Sequence, residues 1–145
     1  MQRALAFIGV LIAIAVAAAP AAGAVFIRVT TLRVHAGGVA RLVGDAARMP
    51  LFALPASRMP CAKYGTCVGP IHRAKEPTRS PFVFLGYTPG AATGMIRPHA
   101  FAIRLPRALR AGRYVVFVWC SSCGGSLIVA GSDPSGQPQT LSVLP

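Results

Sequence analysis

Hydrophobic positions fall along this chain in two patterns. The first is unbroken, since no charged or strongly polar side chain interrupts Ala4 to Ala19. The second begins at Val25 and consists of short apolar or alternating runs separated by Gly, Pro, Ser and Asp. Short runs of period two bounded by turn residues are strand signals, and no stretch past the first pattern repeats at helical period. "VFIRVTTLRV" places Phe26, Arg28, Thr30, Leu32 and Val34 on one side and Val25, Ile27, Val29, Thr31 and Arg33 on the other, which predicts a strand. "HAGG" (His35 to Gly38) reads as a turn and "VARLVG" (Val39 to Gly44) as the return strand. "PLFALP" (Pro50 to Pro55) is a short apolar strand fenced by prolines, and because proline cannot donate to a ladder an edge position is expected.

The second half is more regular. "FVFLGYT" (Phe82 to Thr88) predicts a strand, and "FAIRLP" predicts another with Phe101, Ile103 and Leu105 inward and Ala102 and Arg104 outward. "RYVVFVWC" (Arg113 to Cys120) is apolar on both faces, as a central strand must be. "SLIVAG" and "TLSVL" follow, separated by the turn-rich "SDPSGQPQ". About seven or eight short strands without a helix predict an all-β, antiparallel sandwich. Between the halves lies a stretch without periodicity, Ala56 to Pro81, carrying Pro60, Pro70, Pro77 and Pro81 and two cysteines. Loops of this length in a compact domain are functional or pinned by a crosslink.

The unbroken apolar run reads as an export signal. Arg3 supplies the positive start, Pro20 breaks the run, and Ala22-Gly23-Ala24 fits the small-x-small cleavage pattern. Residues 1–24 are therefore expected to be removed, leaving one domain over 25–145 in the secreted or cell-envelope compartment. The alternative is a retained anchor, but the 16 residues from Ala4 to Ala19 fall short of the ~20 that span a bilayer. Membrane contact is expected only through this segment, and only if it is not cleaved.

Charge narrows the partners. Without Arg3, 14 basic residues face Asp45, Glu76 and Asp133, a net charge of +11. A cationic exported surface attracts polyanions, so an anionic envelope polymer joins another envelope protein as the expected partner. Almost all of the basic residues are arginines scattered singly, which argues against a specific nucleic-acid site.

"FAIRLPRALRAGRYVVFVWC" resembles the strand, turn and strand of bacterial immunoglobulin-like domains, in which a Gly-x-Tyr enters the central strand. The order of "PLFALP", a cysteine-bearing loop, "FVFLG" and "GRYVVFVWCSSCGGSLIVAG" is similar to that of small exported bacterial proteins of this fold without an established activity. The resemblance implies an immunoglobulin-like β-sandwich and a structural corner at Tyr114. It departs from antibody domains in lacking a cysteine before the first strands. Copper-resistance sandwiches share the Gly-x-Tyr strand but begin with a histidine that is missing here, so no cofactor is implied.

Four cysteines in a short exported chain imply disulfides. Three pairings exist; the short spacings favour Cys61 with Cys67 and Cys120 with Cys123, and the alternative ties the long loop to the end of the central strand. "WCSSC" matches a thioredoxin-like motif in letters only. That chemistry needs a helix N-terminus to lower the first cysteine's pKa, whereas "GGSLIVAG" reads as turn and strand. A metal site would use Cys120 and Cys123 with His72 or His99, but the Cys61-x5-Cys67 spacing is wider than a zinc knuckle's.

Catalytic sets are missing. Three carboxylates give no pair for acid–base work, Ser121 and Ser126 lack a Gly-x-Ser-x-Gly setting, and no glycine-rich loop opens a helix. A non-catalytic binding or structural role is expected. Phe82, Phe84, Phe101, Phe117 and Trp119 are expected in the core, with Tyr64, Tyr87, Arg73 and Arg79 as a candidate binding surface.

Overall fold

A computed structural model describes residues 27–44, 48–59, 71–73, 75–90, 99–131 and 138–145. The signal at 1–24 and Cys61, Tyr64 and Cys67 lie outside the described residues, as does the side chain of His72. The described chain is all-β and forms two sheets, with one 3-10 turn at Ala56–Arg58. Ten strands are present among the described residues: β1 (Ile27–Val29), β2 (Arg33–His35), β3 (Val39–Gly44), β4 (Pro50–Pro55), β5 (Ile71–His72), β6 (Val83–Tyr87), β7 (His99–Arg104), β8 (Gly112–Cys120), β9 (Ser126–Val129) and β10 (Thr140–Leu144). The smaller sheet has the order β1-β3-β7 and the larger β2-β10-β8-β4-β6, with β9 paired to β8 and β5 to β9. Pairing is antiparallel except between β2 and β10.

The count exceeds the seven or eight strands expected because one predicted strand divides and the long loop contains another. "VFIRVTTLRV" breaks at Thr30–Thr31. The amides of both threonines donate to the Arg41 carbonyl, at 2.9 and 3.2 Å, and the Arg41 amide donates to Thr31 Oγ1 at 3.0 Å. These bonds end the ladder with β3, and the next begins where the Ser142 amide donates to the Leu32 carbonyl at 2.8 Å. β1 therefore stays in the smaller sheet while β2 crosses to the larger one. The turn after His35 does form, with the Gly38 amide donating to the His35 carbonyl at 2.9 Å. It is not a simple hairpin: β3 pairs with β1 and β7 rather than with β2.

"PLFALP" is an interior strand, contrary to its expected edge position. β4 pairs with β6 on one side and β8 on the other, and Leu51 to Leu54 are all buried. The prolines sit at its two ends, Pro50 opposite Tyr87 and Pro55 opposite Tyr114, so the interior ladder loses no donor.

β8 is the axis of the larger sheet. Its first half pairs with β10, its second half with β9 and its other edge with β4. Alternate residues of the same strands feed two apolar clusters. Leu51, Ala53, Tyr114, Val116 and Val118 face the smaller sheet, joined by Val29, Leu42 and Ile103. Phe52, Leu54, Val115, Phe117, Trp119 and Leu127 form a second cluster on the outer face. Ala56, Met59 and Ile71 from the proline-rich stretch pack against it, as does Phe82 just beyond. A central strand so covered needs apolar residues at every position, which is why "YVVFVWC" shows no alternation.

Tyr114 is buried at the start of β8, and its Oη donates to the Arg110 carbonyl at 2.9 Å. The bond fixes the loop that carries the chain from β7 into β8.

Candidate functional site

The outer face of the larger sheet carries an aromatic row that ends in solvent. Its cause is a local irregularity in β6. Phe84 stands opposite Phe52, but Gly86 stands opposite Leu51, so one extra residue of β6 is inserted at that point. Strict alternation would put Phe84 and Tyr87 on opposite faces; the bulge re-aims Tyr87 to the side of Phe84. Gly86 takes a φ of +129° here, a conformation that side-chain-bearing residues rarely adopt.

The resulting geometry is specific. Phe84 lies 5.7 Å from Phe52 between ring centroids, and Tyr87 lies 5.2 Å from Phe84 edge to face. The Arg48 guanidinium carbon sits 4.9 Å from the Tyr87 ring centroid. Just past these residues, the Thr88 amide donates to the Met49 carbonyl and the Met49 amide to Thr88 Oγ1, both at 2.9 Å. This reciprocal clasp holds Arg48 and Tyr87 side by side beyond the bulge. Phe84 remains 45% exposed and Tyr87 50%. Exposed aromatic faces next to a guanidinium suit a ligand that offers both a stacking surface and negative charge.

Arg73 stacks on another ring, and Arg79 meets the same residue through its backbone. The Arg73 guanidinium stacks 4.9 Å from the centroid of Phe82, which itself packs edge-on against Phe117. The Arg79 carbonyl accepts the Phe82 amide at 3.2 Å across the turn containing the cis Ser80–Pro81 bond. Of the expected binding surface, Tyr87, Arg73 and Arg79 are thus exposed, while Tyr64 lies outside the described residues.

One expectation about the aromatics needs correction. Phe84 is exposed rather than a core residue, because among the described residues β6 is an edge strand of the larger sheet. Arg48, one of the scattered arginines, acquires a defined partner. The glycine inside "FLGYT" is the sequence signal for the bulge that brings Tyr87, and with it Arg48, to the side of Phe84.

Cys120 and Cys123 are joined by a disulfide, with 5.2 Å between Cα atoms, at the β8–β9 connection. Cys120 is fully buried, and Ser122 Oγ lies 3.5 Å from its Sγ. The Ser126 hydroxyl donates to the Cys123 carbonyl at 2.8 Å, closing the loop from below. Trp119 is buried in the outer cluster, so the tryptophan of "WCSSC" belongs to the sheet. A strand, not a helix, follows the motif, leaving no dipole to stabilise a thiolate. As a disulfide the pair also offers no thiolate to a metal. His99, the alternative ligand, is on β7 of the smaller sheet, 6.1 Å from Phe101 between ring centroids. Among the described residues, no three His, Cys, Asp or Glu side chains gather as a metal site. Nor is any helix among them long and apolar enough to cross a membrane.

Comparison with family models, curated proteins and solved structures returned no match for the chain.

Proposed function

We propose that this chain is an exported, non-catalytic binding protein of the cell envelope, built on an immunoglobulin-like β-sandwich, whose partner is an acidic glycan. The observation that carries the proposal is the exposed Phe84–Tyr87 pair with Arg48 stacked on it. A sugar ring presents apolar C–H faces to an aromatic platform, and a carboxylate or phosphate on the polymer meets the guanidinium. The immunoglobulin-like assignment draws support from three features. β1 and β2 divide one strand between the sheets, β2 runs parallel to β10, and the Tyr114 hydroxyl hooks the chain entering β8. Export is inferred from the apolar run at 4–19 and from a disulfide that persists outside the reducing cytoplasm.

The test uses two polyanions. Purified protein is titrated with polygalacturonate, which carries sugar rings, and with polyphosphate, which does not. Binding to polygalacturonate is expected to weaken roughly tenfold in the F84A/Y87A variant, with polyphosphate binding unchanged. Both should fall steeply between low and physiological salt. Equal polygalacturonate affinity for wild type and variant, with the fold intact by circular dichroism, would reject the aromatic platform as the site.

A further inference from the structure

At the opposite end of β4 from Tyr87 lies a cavity of about 540 Å³, walled by three separate segments. Ser57 and Arg58 come from the 3-10 turn after β4, Ser80 from the turn before β6, and Arg110 from the loop before β8. The strand pairing explains why they meet. Pro55 stands opposite Tyr114 and Ala53 opposite Val83, so the end of β4, the entry to β6 and the entry to β8 fall at one edge of the sheet. The Pro50 end of β4, where the aromatic row lies, is five residues away, about 17 Å along a strand.

The chemistry of the walls is one-sided. Two arginines and two serines line the same open depression, and no carboxylate among the described residues lines it. Neither guanidinium has a hydrogen-bonding or ion-pair partner among the described residues. Each guanidinium brings five N–H donors in a planar fork that matches a phosphate edge. The remaining wall is apolar, including Pro81, Val83, Leu109 and Tyr114. The backbone positions are fixed independently of any ligand. The Tyr114 hydroxyl holds the Arg110 carbonyl, the Leu109 amide donates to the Pro106 carbonyl at 3.1 Å, and the Met59 amide donates to the Ala56 carbonyl at 3.2 Å.

We propose that this cavity is a binding site for a phosphate ester, with Arg58 and Arg110 clasping the phosphate, Ser57 and Ser80 donating to it, and the apolar wall taking the organic body. Donors approaching from three segments surround a tetrahedral oxyanion better than a flat carboxylate. A soluble phosphate ester and a phospholipid headgroup share this chemistry.

The test is calorimetric titration of the full chain with butyl phosphate, butyrate and inorganic phosphate, and co-sedimentation with vesicles of phosphatidic acid. Saturable binding of butyl phosphate, tighter than either butyrate or inorganic phosphate, is expected. The R58A/R110A variant should lose at least tenfold in affinity, and S57A/S80A should lose less. R33A/R41A, which removes two exposed arginines from strands elsewhere, should bind as wild type. Since the Arg110 side chain takes no part in the Tyr114 bond, circular dichroism should show the fold retained. Vesicle binding that depends on Arg58 and Arg110 identifies a lipid headgroup as the source; its absence, with butyl phosphate retained, identifies a soluble ester. Equal losses in R58A/R110A and R33A/R41A would overturn the site in favour of general charge attraction, as would non-saturable binding. The F84A/Y87A variant should bind butyl phosphate normally, so this site and the aromatic platform stand or fall separately.

Discussion

A Cβ on Gly125 would meet the Arg73 carbonyl oxygen at 2.5 Å and the Trp119 ring at 3.3 Å, and the residue holds a φ of +71°. Its neighbour Gly124 has nearly the same φ, +74°, with nothing within 4 Å. The two glycines therefore separate backbone strain from close approach. Gly124→Ala carries only the left-handed penalty and is expected to lower unfolding free energy by about 1 kcal/mol. Gly125→Ala adds displacement of the 71–73 segment, whose Arg73 amide donates to the Gly125 carbonyl at 2.8 Å, and is expected to cost about 2–4 kcal/mol. Urea denaturation of the two variants measures the difference. Equal midpoints would mean that the close contact with Arg73 contributes nothing to stability.

Among the elements, the β8–β9 hairpin shows how a short crosslink acts. The Cys120–Cys123 bridge spans a sequence separation of 3, so it removes little freedom from the unfolded chain; the loop-entropy relation gives roughly 2 kcal/mol. C120A/C123A is expected to lose about that much while keeping its β spectrum, because Trp119 and Leu127 still hold the hairpin to the outer cluster. Loss of the folded spectrum in that variant would show that the bridge, not the packing, positions the loop. Much of this element was legible in the sequence: continuous apolarity marked β8 as central, and the glycines marked a turn into β9. The alternation of Phe101, Ile103 and Leu105 placed β7 equally well. Other features are invisible to periodicity. Nothing in "VFIRVTTLRV" marks the point where threonine side chains replace ladder bonds and send the chain to a second sheet. Fencing prolines read as an edge, yet they were compatible with an interior strand because they occupied its terminal positions. The candidate surface was half legible for a related reason. Tyr87 and Arg73 were named as candidate surface residues, but pairing Tyr87 with Phe84 and Arg48 required the bulge, and the cavity required three distant segments to meet.

For the whole molecule, charge is the dominant long-range term. Every described arginine is exposed, among them Arg28, Arg41, Arg79, Arg104 and Arg107, and Glu76 is the one side-chain carboxylate among the described residues. With a sequence net charge of +12 the folded state brings like charges together, and their repulsion opposes compaction. Raising salt from ~0.01 to ~0.15 M shortens the screening length from about 30 to about 8 Å, less than the breadth of a domain, and so removes most of that repulsion. Salt should therefore stabilise this protein, raising Tm by a few degrees over that range as followed by circular dichroism. The sign is the useful part. A fold held by surface ion pairs would lose stability under the same screening, so a Tm that falls with added sodium chloride would mean that ion-pair attraction outweighs the repulsion among these arginines. The same screening acts in the opposite direction on polyanion binding, so the conditions that best stabilise the fold are those in which electrostatic retention is weakest. On the proposals above, binding that survives at physiological salt comes from stacking and directed hydrogen bonds at Tyr87 or at Arg58 and Arg110, and not from net charge.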